Sequence, residues 1–486
     1  MLTLPHLVRH THPLPLWGRE ALLAWTARAA NDPGHPDLMA HAGWRSAQLA
    51  LALHPHAQRI WVACGTGHNG QDGWYAAHHL AKWGRQVTVT ALGPAPAGLD
   101  LTQVEIGSEA PSHWELGIDA LFGLGLNRPL TPEHPAFELL MVMHRSPSPL
   151  LHLDLPSGLC PSTGTWLGPP ERPAAGPRDT LALLGLSLGL WTHQGRDFAG
   201  RVWLSTLDSS HPAPKPDATL LGEPSPRLRP HHSHKGAFGR VWVLGGGAGM
   251  RGAAALAARS ALTHGAGLVL WHDPTGRTPD DMPWACAAIQ TRQQPPDTWG
   301  AHEVAVVGCG AGQVDARIWS SVWAIAPQLV LDADALNALA QDPALVEVVQ
   351  KRQSRSMQTV MTPHPLEAAR LLGVSTEAIQ RDRPQAAAHL AQRFGCTVVL
   401  KGSGTVLASP TGALSVNPTG NARLATAGSG DVLAGYVGAL LAQGLSSDEA
   451  AQEAVFALGR LAETADTGTV LTADQQALSK AGGLAD

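Results

Sequence analysis

The chain lacks what a disulfide scaffold, a nucleic-acid binder or a membrane protein needs. Its five cysteines (Cys64, Cys160, Cys286, Cys309 and Cys396) are odd in number, far apart and without a CxxC pair. That excludes a disulfide framework and a zinc knuckle, and points to a reducing compartment. Lys and Arg are scattered without a basic run, and the formal net charge of -5 offers no attraction to nucleic acid or an anionic membrane. The longest apolar stretch, LALLGLSLGLW at 181–191, is far short of the roughly 20 residues of a membrane span. The start, MLTLPHLVRHTHPLPLWGRE, is broken by His, Pro and charge and has no signal-peptide core. A soluble, cytoplasmic protein with no nucleic-acid or membrane partner is expected. There is no GxxxxGK[ST], hence no Walker A loop. There is no HExxH either, so the 24 histidines read as surface or linker positions rather than metal ligands. Two tyrosines against sixteen tryptophans is a bias that nothing in the sequence explains.

What the chain does have is regular alternation. Its 486 residues exceed one ordinary core and imply two or three domains. At 44% hydrophobic and 15% charged residues the composition is globular. The segment 207–234 is dense in Pro, Ser and His and has no apolar period, so a linker over 216–233 separates domains at 1–215 and 234–486. On both sides short apolar runs alternate with amphipathic ones. RIWVAC, QVTVTAL and PLLHLDLP come before the boundary; RVWVLG, AGLVLWHD, VAVVG, LVLDAD, CTVVLKG and TVLASP come after it. This alternation predicts three-layer α/β folds with mainly parallel sheets, whose sites lie at the carboxyl ends of the strands.

The segment NPTGNARLATAGSGDVLAG (417–435) carries the most chemistry. Asp431 closes a turn of small residues and opens an apolar helical stretch. Glycines admit an anion close to the backbone, and a helix start offers unpaired N–H groups and a positive dipole end. A carboxylate there can take a proton from a hydroxyl while the N–H groups hold phosphoryl oxygens. The plainer alternative is an N-capping Asp. Lys401-Gly402-Ser403-Gly404-Thr405 lies between two strands, where Lys and Thr can meet an anion; otherwise it is a hairpin with a solvated Lys. Lysines number only six in the chain. Two GxGxxG patterns, at 65–70 and 247–252, the second with Asp273 about twenty residues on, also admit an NAD-dependent dehydrogenase. No later segment supplies hydride-transfer chemistry for it.

Six segments of the second half occur in fixed order: HKGAFGRVWVLGGGAGMRGAAALAARSALTHGAGLV (234–269), VVGCGAG (306–312), LVLDADALNAL (329–339), MTPHPLEAARLLG (361–373), VVLKGSGTVLASPTG (398–412) and the GSGD segment. Together they resemble the ADP/ATP-dependent NAD(P)H-hydrate dehydratase family, whose fold is ribokinase-like. The first half resembles the NAD(P)H-hydrate epimerase of the same repair system through CGTGHNGQDGWYAAHHL (64–80), DALFGLGLNRPL (119–130) and LDLPSGLCPSTG (153–164). The combined resemblance is to the bifunctional NAD(P)H-hydrate repair enzymes. It implies two three-layer α/β/α domains, a Rossmann-like epimerase followed by a ribokinase-like dehydratase.

For the dehydratase the resemblance implies Asp431 as catalytic base. Ala254, Gly312, His364 and Asp431 contact the hydrated dinucleotide (NADHX or NADPHX); Lys401, Gly402, Ser403, Gly404, Thr405 and Gly430 bind ADP or ATP; Mg²⁺ screens the phosphates. Asp332 and Asp334 act near the metal or cap the helix after them. For the epimerase it implies Asp154 as acid/base group, with His68, Asn69, Gly70, Gln71, Asp72, Gly123, Leu124, Gly125, Leu126, Asn127 and Arg128 lining the dinucleotide pocket. Asn69, Asp119 and Ser157 are implied to hold K⁺, and the protein to be a homo-oligomer. Three departures, Gln71, Cys160 followed by Pro161, and Ser187 in place of a lysine, predict a slow epimerase that relies on Asp154. The competing reading is a ribokinase-like sugar or vitamin kinase with a non-catalytic first domain.

Overall fold

The computed structural model describes residues 4–31, 37–170, 175–272, 288–312, 316–465 and 470–479, and the side chains of 316–318 are outside the description. Asp273 and Cys286 therefore lie outside the described residues. The chain forms two compact units, Met1–His10 with Leu14–Thr219, and Thr11–Pro13 with Leu220–Asp486. The crossing falls inside a short strand, Ala218–Leu220. Composition had placed this strand in the 216–233 linker; burial of Ala218, Leu220 and Leu221 explains why these three are ordered.

The first unit is built on a sheet with strand order His6–Leu7, Arg201–Ser205, Arg178–Leu183, Leu150–Leu153, Leu116–Ala120, Arg59–Cys64, Gln86–Ala91, Val104–Gly107. All pairs are parallel except the first. Arg59–Cys64 lies between the later strands Gln86–Ala91 and Leu116–Ala120, so the order reverses at its carboxyl end. That crevice is where open α/β sheets bind ligands, and the GTGHNG loop leaves from it into the helix His68–Lys82. Alternation along the strands gives each face its own core. Ile60, Val62 and Cys64 face one apolar cluster, and Trp61 and Ala63 the other.

The second unit repeats the logic with the order Gln290–Arg292, Leu268–His272, Arg240–Leu244, Glu303–Val307, Gln328–Leu331, Gln358–Met361, Thr397–Leu400, Val406–Ala408, Leu414–Val416. Pairing is parallel up to Thr397–Leu400 and antiparallel after it. Val241 and Val243 face a core with the helices Arg251–Thr263, Ser429–Ala442 and Ser447–Thr464; Trp242 and Leu244 face the core beneath Asp334–Gln341 and Arg383–Phe394. The helix starts follow local chemistry. Ser446 and Glu449 form a capping box, and Asp342 and Asp382 cap helices with Pro in their first turn, each satisfying N–H groups that no preceding turn can reach. Among the described residues no helix is long and apolar enough to cross a membrane.

Candidate active sites

In the second unit the site forms where strands end. Asp332 follows Gln328–Leu331, Lys401 follows Thr397–Leu400, Cys309 follows Glu303–Val307, and Asp431 sits in the first turn of Ser429–Ala442. The N-cap of that helix is Gly428, at φ 93° and without a side-chain cap, so Asp431 is not the cap; its carboxylate is free for other work. A side chain at Gly428 would strike Leu256 and Ala473 as well as straining the left-handed backbone. The preceding NPTGN segment is pinned to the helix Ser447–Thr464. Asn417 Nδ2 donates to Val455 O at 3.1 Å, and Thr419 Oγ1 donates to Phe456 O at 2.9 Å.

Lys401 Nζ lies 2.8 Å from Asp332 Oδ1, which also accepts the Thr362 hydroxyl at 2.7 Å. A Cβ built on Gly430 would stand 3.0 Å from Lys401 Nζ and 3.6 Å from Asp332 Oδ2. The turn, the ammonium and the carboxylate therefore share one space. A ligand atom each of Cys309, Asp332 and Asp431 lies within 4.8 Å of the others. Burial raises the Asp431 carboxyl to about 7, with Asp332 adding to the rise; the Cys309 thiol, which hydrogen-bonds it, and Lys401 work the other way. Burial pushes the thiol itself well up, as do Asp431 and Asp332, so it stays S–H. Burial alone would lower the Lys401 ammonium, but Asp332 first and then Glu367 hold it above its ordinary value. The result is a fixed cation beside a carboxyl that titrates near neutrality.

The KGSGT loop joins antiparallel strands, as a hairpin should, yet its lysine is ion-paired rather than solvated. Gly402 and Gly404 have φ 142° and 59°. Under the loop lies Arg383, fully buried, donating to Ser403 O at 2.6 Å and Leu400 O at 3.0 Å. A Cβ on Gly402 would come within 2.8 Å of that guanidinium. Gly312 is exposed, and its N–H donates to Asp334 Oδ2 at 2.8 Å. Neither Asp332 nor Asp334 caps the helix Asp334–Gln341, whose cap position is Ala333. Ala254 is fully buried beneath Gly246 and Trp271. His364 is itself an N-cap. Its Nδ1 accepts from Leu366 N and Glu367 N, and Nε2 is 3.1 Å from Glu367 Oε1.

In the first unit Asp154 leaves the strand Leu150–Leu153 with φ 65°, a left-handed backbone that a non-glycine residue adopts only when its surroundings impose it. Its carboxyl is pushed up by burial to about 7, against the pull of backbone hydrogen bonds from Leu124 and Leu183. A Cβ on Gly123 would stand 2.6 Å from Asp154 Oδ2 and 3.5 Å from Asn69 Cβ, so these three residues meet. Asn69 is buried, and neither polar atom of its amide has a hydrogen-bond partner. One turn along the helix, Asp72 Oδ1 is equally unpartnered, and burial, then Asp154, then Asp37 raise that carboxyl well above the ordinary range. His68 and Gln71 are exposed at the rim. Gly70 packs on Gly65, and Gly65 on Leu121, so these are packing glycines. A cavity of about 400 Å³ is lined by Phe122, Gly125, Leu126, Asn127 and Arg128. Ser187 is buried, and its hydroxyl donates to Pro161 O at 2.6 Å.

Cys309, Arg383 and Thr362 escaped the sequence reading. Cys309 lay within a quoted motif, but nothing in VVGCGAG shows that its sulfur meets Asp431. The NAD-dehydrogenase reading gains nothing from the fold, since the expected ribose acid lies outside the described residues.

Residues 241–482 match the family model described as NAD(P)H-hydrate dehydratase, and residues 35–189 match the one described as YjeF-related protein N-terminus. The chain is 34% identical over 461 residues to the bifunctional NAD(P)H-hydrate repair enzyme Nnr of Escherichia coli K12, covering 88% of this chain and 84% of that one. It is 33% identical over 449 residues to the enzyme of the same name from Coxiella burnetii, covering 86% and 88%. It is also 42% identical over 240 residues to the ADP-dependent (S)-NAD(P)H-hydrate dehydratase of Neisseria meningitidis, covering 46% of this chain and 76% of that one. With relatives matched over most of their length and both halves of the architecture in order, the chain belongs to the family of bifunctional NAD(P)H-hydrate repair enzymes.

Proposed function

We propose that this protein restores NADH and NADPH that have been hydrated on the nicotinamide ring, the first unit interconverting the R and S hydrates and the second dehydrating the S form at the expense of ADP or ATP. The observation that carries the reading is the Asp431 carboxyl, titrating near neutrality at a helix start beside the Lys401–Asp332 pair. Hydroxide is a poor leaving group, so the ring hydroxyl is first phosphorylated. Asp431 accepts the hydroxyl proton as its oxygen bonds to phosphorus and the bond to the nucleotide breaks. The N–H groups of the 428–430 turn hold the phosphoryl oxygens. Phosphate then leaves with the C–O electron pair, the adjacent ring carbon gives up a proton to solvent, and the C–H electrons restore the ring double bond. Lys401 and the KGSGT backbone hold the nucleotide, with Arg383 fixing the loop from beneath. Mg²⁺ fits the set: Asp332 Oδ2, a hard oxygen facing the Gly430 turn, would hold it, and when bound it screens the phosphate charge. His364 serves this site by fixing the start of its helix, with both ring nitrogens already engaged.

In the first unit Asp154 moves the proton; the nearby Asp72, whose carboxyl burial and Asp154 raise well above its ordinary range, leaves Oδ1 unpartnered. The Ser187 hydroxyl is committed to Pro161 O, and none of the named pocket residues is a lysine, which supports a slow epimerase. Asp119, whose carboxylate is filled by protein donors, does not fit K⁺. We place the reaction in the reducing cytoplasm, in keeping with the four free cysteines among the described residues.

Lys401→Ala tests the nucleotide assignment. Loss of a charge-assisted hydrogen bond to phosphate is worth about 1.5–3 kcal/mol, so KM for the nucleotide is expected to rise about 10- to 100-fold while KM for the hydrate changes little. Steady-state kinetics with each ligand varied in turn measures this, and equal rises in both would give the loop a structural role only.

A further inference from the structure

Asp119 and His152 are register partners on the adjacent parallel strands Leu116–Ala120 and Leu150–Leu153. Their side chains consequently project from the same face of the sheet, and both are buried, at 0% and 1% exposure. His152 Nδ1 stands 2.8 Å from Asp119 Oδ2; facing a carboxylate, that nitrogen is the donor. The same oxygen accepts the Ser157 N–H at 2.9 Å. Asp119 Oδ1 accepts the Ser157 hydroxyl at 2.6 Å and the Leu121 N–H at 3.3 Å. A carboxylate offers about four lone-pair sites, and here four donors from the protein fill them. Ser157 Oγ accepts the Phe122 N–H at 2.7 Å. Of the three residues that the family resemblance assigns to potassium, Ser157 Oγ keeps a single spare lone pair, and only Asn69 has an oxygen with no partner at all; Asn69 lies in the dinucleotide pocket beside Gly123 and Asp154. A hard cation needs several oxygen ligands with lone pairs directed at it.

We propose that His152 stands in for potassium in this protein: its Nδ1–H supplies the positive end of a dipole to Asp119, and the first unit holds its PSG turn and its pocket without K⁺. The strand register delivers this donor as part of the fold, whereas an ion has to be bound from solution. The ring's other nitrogen, Nε2, is buried without a hydrogen-bond partner, so His152 serves Asp119 alone. The structural claim is independent of the reaction; its rate arm rests on the epimerase reading.

The test uses the full-length protein exchanged into choline chloride. Thermal melting and conversion of the R hydrate, followed by separating the epimers, are measured there and with added potassium chloride, sodium chloride serving as the ionic-strength control. The wild type is expected to show the same Tm in potassium as in sodium, and rates that agree within about twofold, because an ion that does not bind the native state cannot stabilise it. His152→Ala opens Asp119, so its Tm should rise in potassium over sodium and its rate should recover at least about tenfold, as for loss of a supporting contact at a metal site. His152→Asn, which keeps an N–H for Asp119, should again ignore potassium. A potassium-specific rise in the wild-type Tm, or a thallium ion found against Asp119 in crystals of the wild type, overturns the proposal. If the His152→Ala protein does not fold, the wild-type melts decide. A wild type that melts identically in all three salts but converts no R hydrate would refute the epimerase reading and leave this inference standing.

Discussion

Asp431→Asn is expected to abolish nucleotide-dependent dehydration and, above pH 7, to make the protein more stable. Loss of a positioned general base lowers kcat by about 10²–10⁴-fold, and more where the same group orients the phosphoryl acceptor. The stability gain follows from the carboxyl rising from its ordinary 3.8 to about 7 in the fold. Between those values the native state binds the proton that the unfolded chain has released. Stability from this group is therefore fully present below about pH 4, declines as pH rises through 7 and is flat beyond. The asparagine variant has no such decline. A shift of about three units corresponds to at most ~4 kcal/mol, and partial exposure of the side chain reduces this to about 1–3 kcal/mol. Differential scanning calorimetry at about pH 4 and pH 8 measures it: near-equal melting at the lower pH, and a variant more stable by several degrees at the higher. A folded variant with wild-type turnover would remove Asp431 from the chemistry.

Asp154→Asn is expected to reduce conversion of the R hydrate to its spontaneous rate, a fall of about 10²–10⁴-fold relative to any enzyme-accelerated rate, as for loss of a positioned general base. Asparagine is the informative replacement because it tolerates the left-handed backbone at φ 65°, which alanine resists by about 1–2 kcal/mol. Burial lifts the Asp154 carboxyl to about 7, so wild-type epimerisation should rise from pH 5 to 8 with a midpoint near 7 as the base form accumulates. The measurement is the R-to-S rate across that range for both proteins. A flat pH profile, or a variant as fast as the wild type, would assign the proton transfer elsewhere.

The parts of these sites that were legible in sequence are those that a few consecutive residues determine. Strand ends, the GSGD turn and the KGSGT hairpin all declare themselves through glycine placement and the apolar runs that flank them. What sequence left open was settled by contacts between distant segments. Lys401 and Asp332 are 69 positions apart, and nothing local distinguishes a paired lysine from a solvated one. The GSGD turn by itself admits Asp431 as base or as cap; Gly428 takes the cap position. Arg383 lies in a helix with ordinary amphipathic spacing, yet its guanidinium supports the KGSGT loop. The pairing of His152 with Asp119 depends on the register of two parallel strands, which their apolar sequences do not encode. Ser187 was read as a weak replacement for a lysine; its hydroxyl is instead committed to Pro161 O. Composition also made 216–233 a linker throughout, because three buried residues weigh little against so many prolines.

This chain is expected to regenerate reduced nicotinamide from its hydrate in a step that consumes a nucleotide. The direct measurement is to incubate the purified full-length protein with the S hydrate of NADH, Mg²⁺ and either ADP or ATP, and to follow the return of NADH absorbance. Recovery of absorbance is expected to require the nucleotide, to release one phosphate per NADH formed and to be absent with Asp431→Asn. Phosphorylation of a sugar or vitamin, with no recovery of NADH from either nucleotide, would contradict it.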